Sequence, residues 1–160
     1  MLATFENLRI LQVAETLADA IWKHVAEWDE FARDVVGKQL ARAADSVGAN
    51  IAESFGRFNF GEKLQFLYYS RGSLFETKYW INRAQVRGLM TSTEALAYAS
   101  QLTELARQLN TFASSLKTVR AEQKTHPHTI RESATEFVVA DQYEFTDPLF
   151  SEDDVAWLNA

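Results

Sequence analysis

Apolar side chains recur every three or four residues through most of the body of the chain, which is the spacing of helices that bury one face. This periodicity predicts four helices, at about residues 5–28, 35–55, 59–87 and 91–119. The stripe of the first helix comprises Ile10, Val13, Leu17, Ile21, His24 and Trp28. Long amphipathic helices with short connections predict an all-α fold, an antiparallel up-down-up-down four-helix bundle over residues 1–120.

The ends of the predicted helices carry capping residues. Asp34 is the expected N-cap of the second helix. The segments Asn59–Glu62 and Thr91–Glu94 match the capping-box pattern, in which the side chains of the first and fourth residues bond to each other's backbone N–H groups. Gly88 follows a basic last turn, so we expect the third helix to end there.

The second and third predicted helices differ in side-chain size. The second is dense in alanine and serine and contains Gly48, which predicts close packing against a bulky neighbour. The aromatic residues of the third are Phe60, Phe66, Tyr68, Tyr69, Phe75, Tyr79 and Trp80. They occupy more than one side, and a helix that is apolar on several sides has to be covered on several sides. We therefore expect a homo-oligomer in which this helix contacts another subunit.

Residues 121–160 differ in composition from the rest of the chain. They hold 9 Asp and Glu against 2 Lys and Arg, whereas residues 1–120 hold 13 against 14. The net charge of −6 therefore belongs to an acidic C-terminal tail, and the body is close to neutral. We interpret residues 137–145 as a short strand or an extended docking segment, and residues 151–158 as a last helical turn.

Two interpretations of this tail remain open. As an acidic segment outside the predicted core, it is expected to be extended or only partly ordered. Its embedded Phe, Tyr and Trp residues favour the other interpretation, a segment that docks its aromatic side chains. The surface that receives them would belong to its own bundle, to a neighbouring subunit or to a protein partner.

Several classes of functional site lack their residues in this sequence. There is no cysteine, which excludes disulfides and thiolate metal sites. No Glu is followed three residues later by His, as a diiron bundle requires, and His126 and His128 have no further zinc ligands nearby. Neither a phosphate-binding glycine loop nor a nucleophile elbow occurs. We expect no metal, no cofactor and no enzymatic activity, and we expect His24 to be a packed or cap-bonded histidine.

The sequence also bears on location. No apolar run is long enough for a transmembrane helix, and the N-terminus lacks the basic and apolar regions of a signal peptide. The absence of cysteine fits a reducing compartment. We expect a cytoplasmic protein without membrane contact.

Polar residues recur at helical spacing on the second and third predicted helices. If these helices form an antiparallel hairpin that turns near Phe58, position i lies opposite about position 117 minus i. This register predicts an ion pair between Arg42 and Glu76 and a contact between Asp45 and Arg71. Partly buried pairs of this kind fix register more than they add net stability.

The same register places Gly72 and Ser73 opposite Ser46, which predicts a close helix crossing. The residues predicted to set the register or to contact another subunit are Arg42, Asp45, Ser46, Asn50, Glu53, Arg71, Ser73, Glu76, Tyr79 and Trp80. The alternative is that part of this polar row is a recognition surface. Its strongest member is then Arg57, at the exposed turn.

These positions resemble a known family. The segments that carry the resemblance are Arg42-Ala43-Ala44, Ser46, Asn50-Ile51-Ala52-Glu53, Gly56-Arg57, Gly72-Ser73-Leu74 and Glu76. They look like the signature of the four-helix bundle proteins encoded within 23S rRNA intervening sequences, and the resemblance covers about residues 5–120. The sequence departs from the family pattern at Ser54, where the family usually has Gly, and at Arg71, where it often has Ala.

The resemblance implies a ring-like homopentamer of four-helix bundles. It also implies similarity to the accessory variability determinant of diversity-generating retroelements, a barrel-shaped pentamer that binds a reverse transcriptase and nucleic acid. The basic residues expected to contact phosphate are Arg57, Lys63, Arg83 and Arg87. Repeated around a ring, they would form a basic belt, which is the electrostatic requirement for binding nucleic acid.

Two functions follow from these patterns. The first is a non-enzymatic oligomeric accessory protein that binds RNA or a ribonucleoprotein, such as the reverse transcriptase accessory of a diversity-generating retroelement. In this function the acidic tail masks part of the basic surface. The alternative is a structural or protein-interaction scaffold without nucleic-acid binding, whose acidic aromatic tail docks on a protein partner.

Overall fold

Every regular element that the structure describes is a helix. The structure is a computed structural model and describes residues 8–125 and 147–160, with side chains as far as Ala121 in the first range. The helices are α1 Arg9–Ala26, α2 Glu30–Ala32, a π-helical segment Arg33–Gly37, α3 Lys38–Gly56, α4 Phe60–Val86, α5 Ser92–Thr125 and α6 Glu152–Asn159. The predicted strand at 137–145 and the histidines at 126 and 128 lie outside the described residues.

Three predicted helix boundaries have the expected local structure. The Asn59 side chain accepts a hydrogen bond from the Gly61 N–H at 2.9 Å at the start of α4. Gly88 has a φ of 73°, the left-handed conformation that terminates helices, and it follows the end of α4. Glu94 N–H donates to Thr91 Oγ1 at 3.2 Å and Thr91 N–H donates to Glu94 Oε2 at 2.8 Å, so this capping box is confirmed.

One predicted N-cap, Asp34, is wrong, and the predicted capping box at Asn59–Glu62 is only half formed. Asp29, not Asp34, caps the second helical stretch, because its side chain accepts a hydrogen bond from Ala32 N–H at 3.0 Å. Asp34 lies one turn further on, inside the π-helical segment, and forms an ion pair with Lys38 at 3.0 Å. Glu62 makes no reciprocal bond to the N-cap of α4 within the part of the chain that the structure describes.

Helix α2 and the π-helical segment occupy the interval between the first two predicted helices, and the π-helical segment contains a glycine, Gly37, that lies very close to α1. A Cβ at Gly37 would lie 2.5 Å from Cγ1 of Val25, so a side chain there would clash with α1. The close approaches predicted at Gly48 and Gly72 are not found. A Cβ at Gly48 would meet its nearest neighbour at 3.7 Å, an ordinary contact, and one at Gly72 would meet nothing within 4 Å.

The core lies between α1, α3, α4 and α5. α3 packs against α1 and α4, and α5 packs against α4 and α1. Its fully buried members include Ile21, Leu40, Ile51, Leu67, Leu74, Ile81, Leu102, Leu105 and Leu109. No helix among the described residues combines the length and the apolar character needed to cross a membrane.

Two buried serines fix α3 against α4. Ser54 Oγ donates to the backbone oxygen of Lys63 at 2.8 Å, and Ser70 Oγ donates to that of Val47 at 3.0 Å. Each hydroxyl is fully buried, so its bond also satisfies a group that would be costly to leave unpaired. Both pairs obey the predicted register, in which position i lies opposite 117 minus i.

The two predicted contacts between charged side chains of this hairpin are wrong. Arg42 and Glu76 are both exposed, and the ion pairs of the described residues do not include them. Both groups stay solvated, and an exposed pair offers little free energy in return for ordering two long side chains. Arg71 pairs with Asp154 at 3.0 Å rather than with Asp45, because the C-terminal segment brings a carboxylate to it.

Candidate nucleic-acid interface and docked C-terminal segment

The turn between α3 and α4 holds the predicted basic residue Arg57. Its guanidinium forms an ion pair with Glu53, one helical turn earlier, and lies 4.7 Å from the ring centre of Phe66. The Arg57 side chain is still 39% exposed. The Phe66 ring restricts the orientation of the Arg57 guanidinium, which lowers the entropy lost when that group binds an anion. Glu53 acts against binding, because its carboxylate competes with the anion for Arg57.

The second predicted residue, Lys63, lies beside the same turn. Its Nζ donates to the backbone oxygen of Phe55 at 3.3 Å and lies 6.0 Å from that residue's ring centre. Phe58 lies within the turn, and its side chain is 99% exposed. Proteins that bind single-stranded nucleic acid stack bases on exposed aromatic side chains and place nearby cations along the phosphate backbone of the nucleic acid.

A third cation reaches this end of the molecule from α5. The guanidinium of Arg120 lies 4.8 Å from the ring centre of Phe60, the first residue of α4. We call Arg57, Phe58, Lys63 and Arg120 the turn cluster. Sequence reasoning missed Arg120, because only the packing of α5 beside the start of α4 brings it to the turn.

The other two predicted phosphate contacts do not join the turn cluster. Arg83 lies near the end of α4 and Arg87 follows its last residue. The helix between Lys63 and Arg83 spans about 30 Å at 1.5 Å per residue. Arg83 is half-buried, Arg87 is exposed, and the ion pairs of the described residues involve neither. In one chain the predicted set therefore forms two separate pairs at opposite ends of α4.

The polar row on α3 is satisfied mainly within its own helix. Ser46 Oγ donates to the backbone oxygen of Arg42 at 2.7 Å, and Asn50 Nδ2 donates to that of Ser46 at 2.8 Å. Asn50 Nδ2 also reaches Ser73 Oγ on α4 at 3.4 Å, a weak contact, and Ser73 donates to the backbone oxygen of Tyr69 at 3.1 Å. Of the predicted register residues, the structure thus joins Asn50 and Ser73 across the two helices.

One face of α4 is not covered by other residues that the structure describes. Its residues lie three or four apart, and we call them the open stripe: Tyr69, Gly72, Glu76, Tyr79, Arg83 and Val86. Tyr69 and Tyr79 are 49% and 51% exposed. Trp80 lies edge-on to Tyr79, with ring centres 5.1 Å apart, and is half-buried. The predicted subunit-contact residues Glu76, Tyr79 and Trp80 therefore lie on or beside this stripe.

A neighbouring face of α4 is covered by the C-terminal segment. Leu149 and Phe150 are buried just before α6. The ring of Phe150 stacks on Phe75 at 6.0 Å between centres, and the ring of Trp157 stacks on Phe75 at 5.3 Å. The prediction of a last helical turn is confirmed by α6. The described part of the tail docks on its own chain, which is one of the three surfaces considered above.

Polar contacts from α5 hold the backbone of the same segment. The Asn110 side-chain amide donates to the backbone oxygen of Phe150 and accepts from its N–H, both at 2.8 Å. Lys117 Nζ donates to the backbone oxygen of Asp147 at 3.0 Å. We call the body residues that contact the segment, Arg71, Phe75, Asn110 and Lys117, the tail seat.

Arg71 joins the charged and aromatic parts of this contact. Its Nη2 donates to Asp154 Oδ2 at 3.0 Å, and its guanidinium lies 4.7 Å from the ring centre of Phe75 and 5.6 Å from that of Phe150. Asp154 also completes a capping box with Ser151, whose N–H donates to it at 2.8 Å. Burial alone would raise the pKa of Asp154, but hydrogen bonds from Ser151 and Arg71 outweigh burial and lower the pKa.

The opposite end of the molecule holds His24, which is packed. Its Nδ1 lies 3.3 Å from the hydroxyl of Tyr98, which donates to the backbone oxygen of Ala20 at 3.2 Å. Glu94 approaches His24 Nε2 at 3.9 Å, and hydrogen bonds from Thr91 lower the pKa of this Glu94 carboxylate. No group of three or more His, Asp or Glu side chains among residues 8–121 and 147–160 is placed to hold a metal ion.

Sequence reasoning did not identify Asn110, Lys117 or Phe150 as contact residues. A signal existed for Phe150, because the apolar pair Leu149-Phe150 directly precedes a capping box at Ser151, and that pattern indicates an anchored short helix. Asn110 and Lys117 carry no such signal, since polar residues are usual on a helix surface. Their role depends on where the tail returns.

The comparisons with known proteins bear on the body of the chain. A family model described as 23S rRNA-intervening sequence protein matches residues 6–111. A search of curated proteins found no match. The matched residues include the turn between α3 and α4, all of α4 and Asn110, whereas α6 lies outside them. The resemblance seen in the sequence motifs is therefore confirmed: the chain belongs to the 23S rRNA-intervening sequence protein family.

Proposed function

We propose that this protein is a non-enzymatic, oligomeric accessory protein that binds RNA or a ribonucleoprotein, with the turn cluster as its RNA contact. The observation that carries this proposal is the environment of Phe58. Its ring is 99% exposed within the turn, and the cations Arg57 and Lys63 lie beside it on aromatic rings. An exposed aromatic ring makes few favourable contacts in water, whereas stacking on a nucleic-acid base contributes about 1–3 kcal/mol of binding free energy.

The chemistry of the turn cluster suits unpaired RNA. Every base has a π-face, so stacking on Phe58 would be tolerant of sequence. The cations would contact phosphate and release counterions, which makes binding weaken as salt rises. Because Glu53 pairs with Arg57 and the body is close to neutral, one cluster alone would bind weakly.

Assembly would compensate for this weakness. We propose an antiparallel four-helix bundle that forms a homopentamer through the open stripe, in the cytoplasm. The serine bonds between α3 and α4, the packing of α5 against α4 and α1, and the half-exposed Tyr69 and Tyr79 support this arrangement. A ring would repeat the turn cluster on every subunit, and linked sites raise the overall affinity without any new contact.

The protein partner that we propose is a reverse transcriptase of a diversity-generating retroelement. The resemblance of the sequence motifs implies similarity to that accessory protein and is the ground for this choice, and family membership supports an RNA-associated role in the wider sense. The remaining proposal, that the protein catalyses no reaction, is supported by the absence of metal, nucleophile and phosphate-loop motifs from the sequence.

A salt-titrated binding assay with a single-stranded RNA tests the proposal. The double substitution Arg57→Ala with Lys63→Ala should weaken binding and lower the slope of log affinity against log salt by about 0.7 for each phosphate that the variant no longer neutralises. Phe58→Ala should cost about 1–3 kcal/mol for each base that stacks. Binding that does not respond to salt would contradict the proposal.

Matched controls come from the opposite end of the molecule. Arg33→Ala with Arg87→Ala removes the same charge from two exposed residues outside the turn cluster and the open stripe, and should leave affinity near that of the wild type. Phe31→Ala removes an aromatic side chain that is 76% exposed but lies outside the turn cluster. Equal losses of affinity from the two arginine-containing pairs would show that the turn cluster is not the RNA contact.

The second candidate is a protein-interaction scaffold that does not bind nucleic acid. The outer surface of α6 favours it, because Trp157 is 43% exposed and Glu152 and Asp153 beside it are exposed acids. Such a surface suits a basic protein partner. An absence of RNA binding even at low salt, together with capture of a reverse transcriptase by the protein, would favour this function over RNA binding.

A further inference from the structure

We infer that the tail seat is a peptide-binding site for acidic peptides with an aromatic anchor, and that residues 147–160 fill it as a built-in competitor. The occupant that displaces them is a segment of a protein partner with the same chemistry. That segment has two adjacent bulky apolar residues, then a Ser-capped acidic turn of helix. This inference does not depend on the RNA proposal.

The seat recognises the backbone of the irregular segment that precedes α6. The two bonds between the Asn110 amide and the N–H and C=O of Phe150 are those that a neighbouring β-strand would make. Lys117 adds a bond to the Asp147 carbonyl three residues earlier. Because these bonds use backbone atoms of the docked segment, they would form with any peptide that has the right shape.

Side-chain pockets then give selectivity. Phe150 is 1% and Leu149 4% exposed, so the seat buries an apolar pair completely, and Leu158 adds a third anchor at 0%. Phe75 contributes one ring that stacks with both Phe150 and Trp157. A small number of deeply buried anchors around satisfied polar bonds is the usual organisation of a peptide-recognition site.

Arg71 selects an acid at the fourth position after the aromatic anchor. Its Nη2 bonds to Asp154, while its Nε is buried and has no hydrogen-bond partner among the described residues. A buried unpaired donor is costly, so the chain's own tail leaves Arg71 incompletely satisfied. A partner with a longer or better-placed acid would engage both donors, since a guanidinium binds carboxylates most strongly through two bonds.

The chain's own C-terminal segment is covalently connected to α5, but the length of the connection does not force this segment into the tail seat. The tail returns to the body at Asp147, level with Lys117, and residues 126–146 connect the end of α5 to that point. A connection of this length could extend to about 70 Å. Lys117, which contacts Asp147, lies eight residues before the end of α5, which is about 12 Å along the helix. α6 has 8 residues, and a helix this short is not stable in water without a surface to pack on.

A binding assay on the full chain tests the inference. The probe is a fluorescent synthetic peptide with the sequence of residues 147–160, and the readout is fluorescence anisotropy. Phe150→Ser in the full chain empties the seat without changing it, and this variant should bind the probe. The wild type should bind about tenfold or more weakly, because a tethered segment competes at about millimolar effective concentration. Asp154→Arg is a second way to release the tail.

Seat variants establish where the peptide binds. In the Phe150→Ser background, Asn110→Ala should weaken probe binding about tenfold, and Arg71→Glu should abolish it. A probe carrying Asp154→Arg should restore binding to Arg71→Glu, which a merely misfolded protein could not do. Arg42→Glu makes the same charge change on an exposed surface of α3 and should have no effect.

Three results would overturn the inference. The first is that neither released-tail variant binds the probe. The second is that binding is the same with and without Asn110→Ala. The third is that wild-type chains exchange tails with one another. This would be seen if the wild type forms assemblies that do not bind the probe and if Phe150→Ser dissociates those assemblies. That last result would assign the seat to the tail of a second copy.

Discussion

Two faces of α4 carry similar residues but differ in what covers them. On the covered face, Phe75 stacks with the rings of Phe150 and Trp157, and Arg71 pairs with Asp154. On the open stripe, Tyr69 and Tyr79 remain half exposed. Both faces present aromatic rings and a cation, so the sequence of α4 alone does not distinguish them.

The difference shows that an aromatic face does not by itself require another subunit. The sequence of α4 predicts more than one apolar side, and the simplest reason is an oligomer. In the structure, one of those sides is covered within the chain by the C-terminal segment, which lies beyond the family-matched residues 6–111. The case for an oligomer therefore rests on the open stripe and not on all the aromatic residues of α4.

The largest expected effect comes from placing a charge on the open stripe. Tyr79→Glu should convert the proposed oligomer to a monomer, because the interface would have to bury an unpaired carboxylate. Analytical ultracentrifugation would measure the mass. Val119→Glu places the same charge on α5 at a residue that is 50% exposed and should leave the mass unchanged. An unaltered mass for Tyr79→Glu would show that the stripe is not the interface.

The covered face should respond to the removal of its anchor. Phe150→Ala removes a fully buried ring, which costs about 3–5 kcal/mol in a core, and the whole cost falls on the docking of the tail. Hydrogen exchange should then show rapid exchange throughout α6 while α1, α3 and α4 remain protected. Phe58→Ala, at an exposed position, provides the control. Reduced protection in the body as well would mean that α6 is an integral part of the core.

A smaller effect is expected on RNA binding. Deleting residues 121–160 removes a net charge of −7 and should tighten RNA binding several-fold at low salt, because the acidic tail repels phosphate. The difference should shrink at high salt, as screened repulsion requires. Glu152→Gln with Asp153→Asn tests the charge alone and leaves the docking contacts in place. Equal affinities for the deletion and the full chain would exclude masking by the tail.

Local sequence signals predicted much of the fold. Helical periodicity identified the long helices, and the capping box at Thr91 and the glycine at position 88 gave their boundaries correctly. Such features depend on residues a few positions apart. The π-helical segment was not predicted, and neither was the position of Gly37 against Val25 of α1, because no pattern within the segment reports a contact with another helix.

The candidate sites were less predictable for the same reason. The four basic residues predicted to contact phosphate are exposed or half-buried, but helix length separates Lys63 from Arg83 by about 30 Å. The partner of Arg71 lies 83 residues away in sequence, and a rule based on a helical hairpin could assign it only a partner within that hairpin. Predicting the contact with Asp154 would have required knowing where the tail returns.

The smallest expected effect is a pH dependence of the covered face. Because the pKa of Asp154 is lowered in the docked state, its contribution to docking is complete above the ordinary value of 3.8 and is lost as the pH falls through the lowered pKa. The NMR signal of the Trp157 indole N–H should therefore shift toward its released position as the pH falls below about 4. In Asp154→Asn the signal should already be partly shifted at neutral pH and should change little over the same range. Identical titrations of the two proteins would assign the pH response to other carboxylates and leave the Arg71–Asp154 pair without a measurable share in docking.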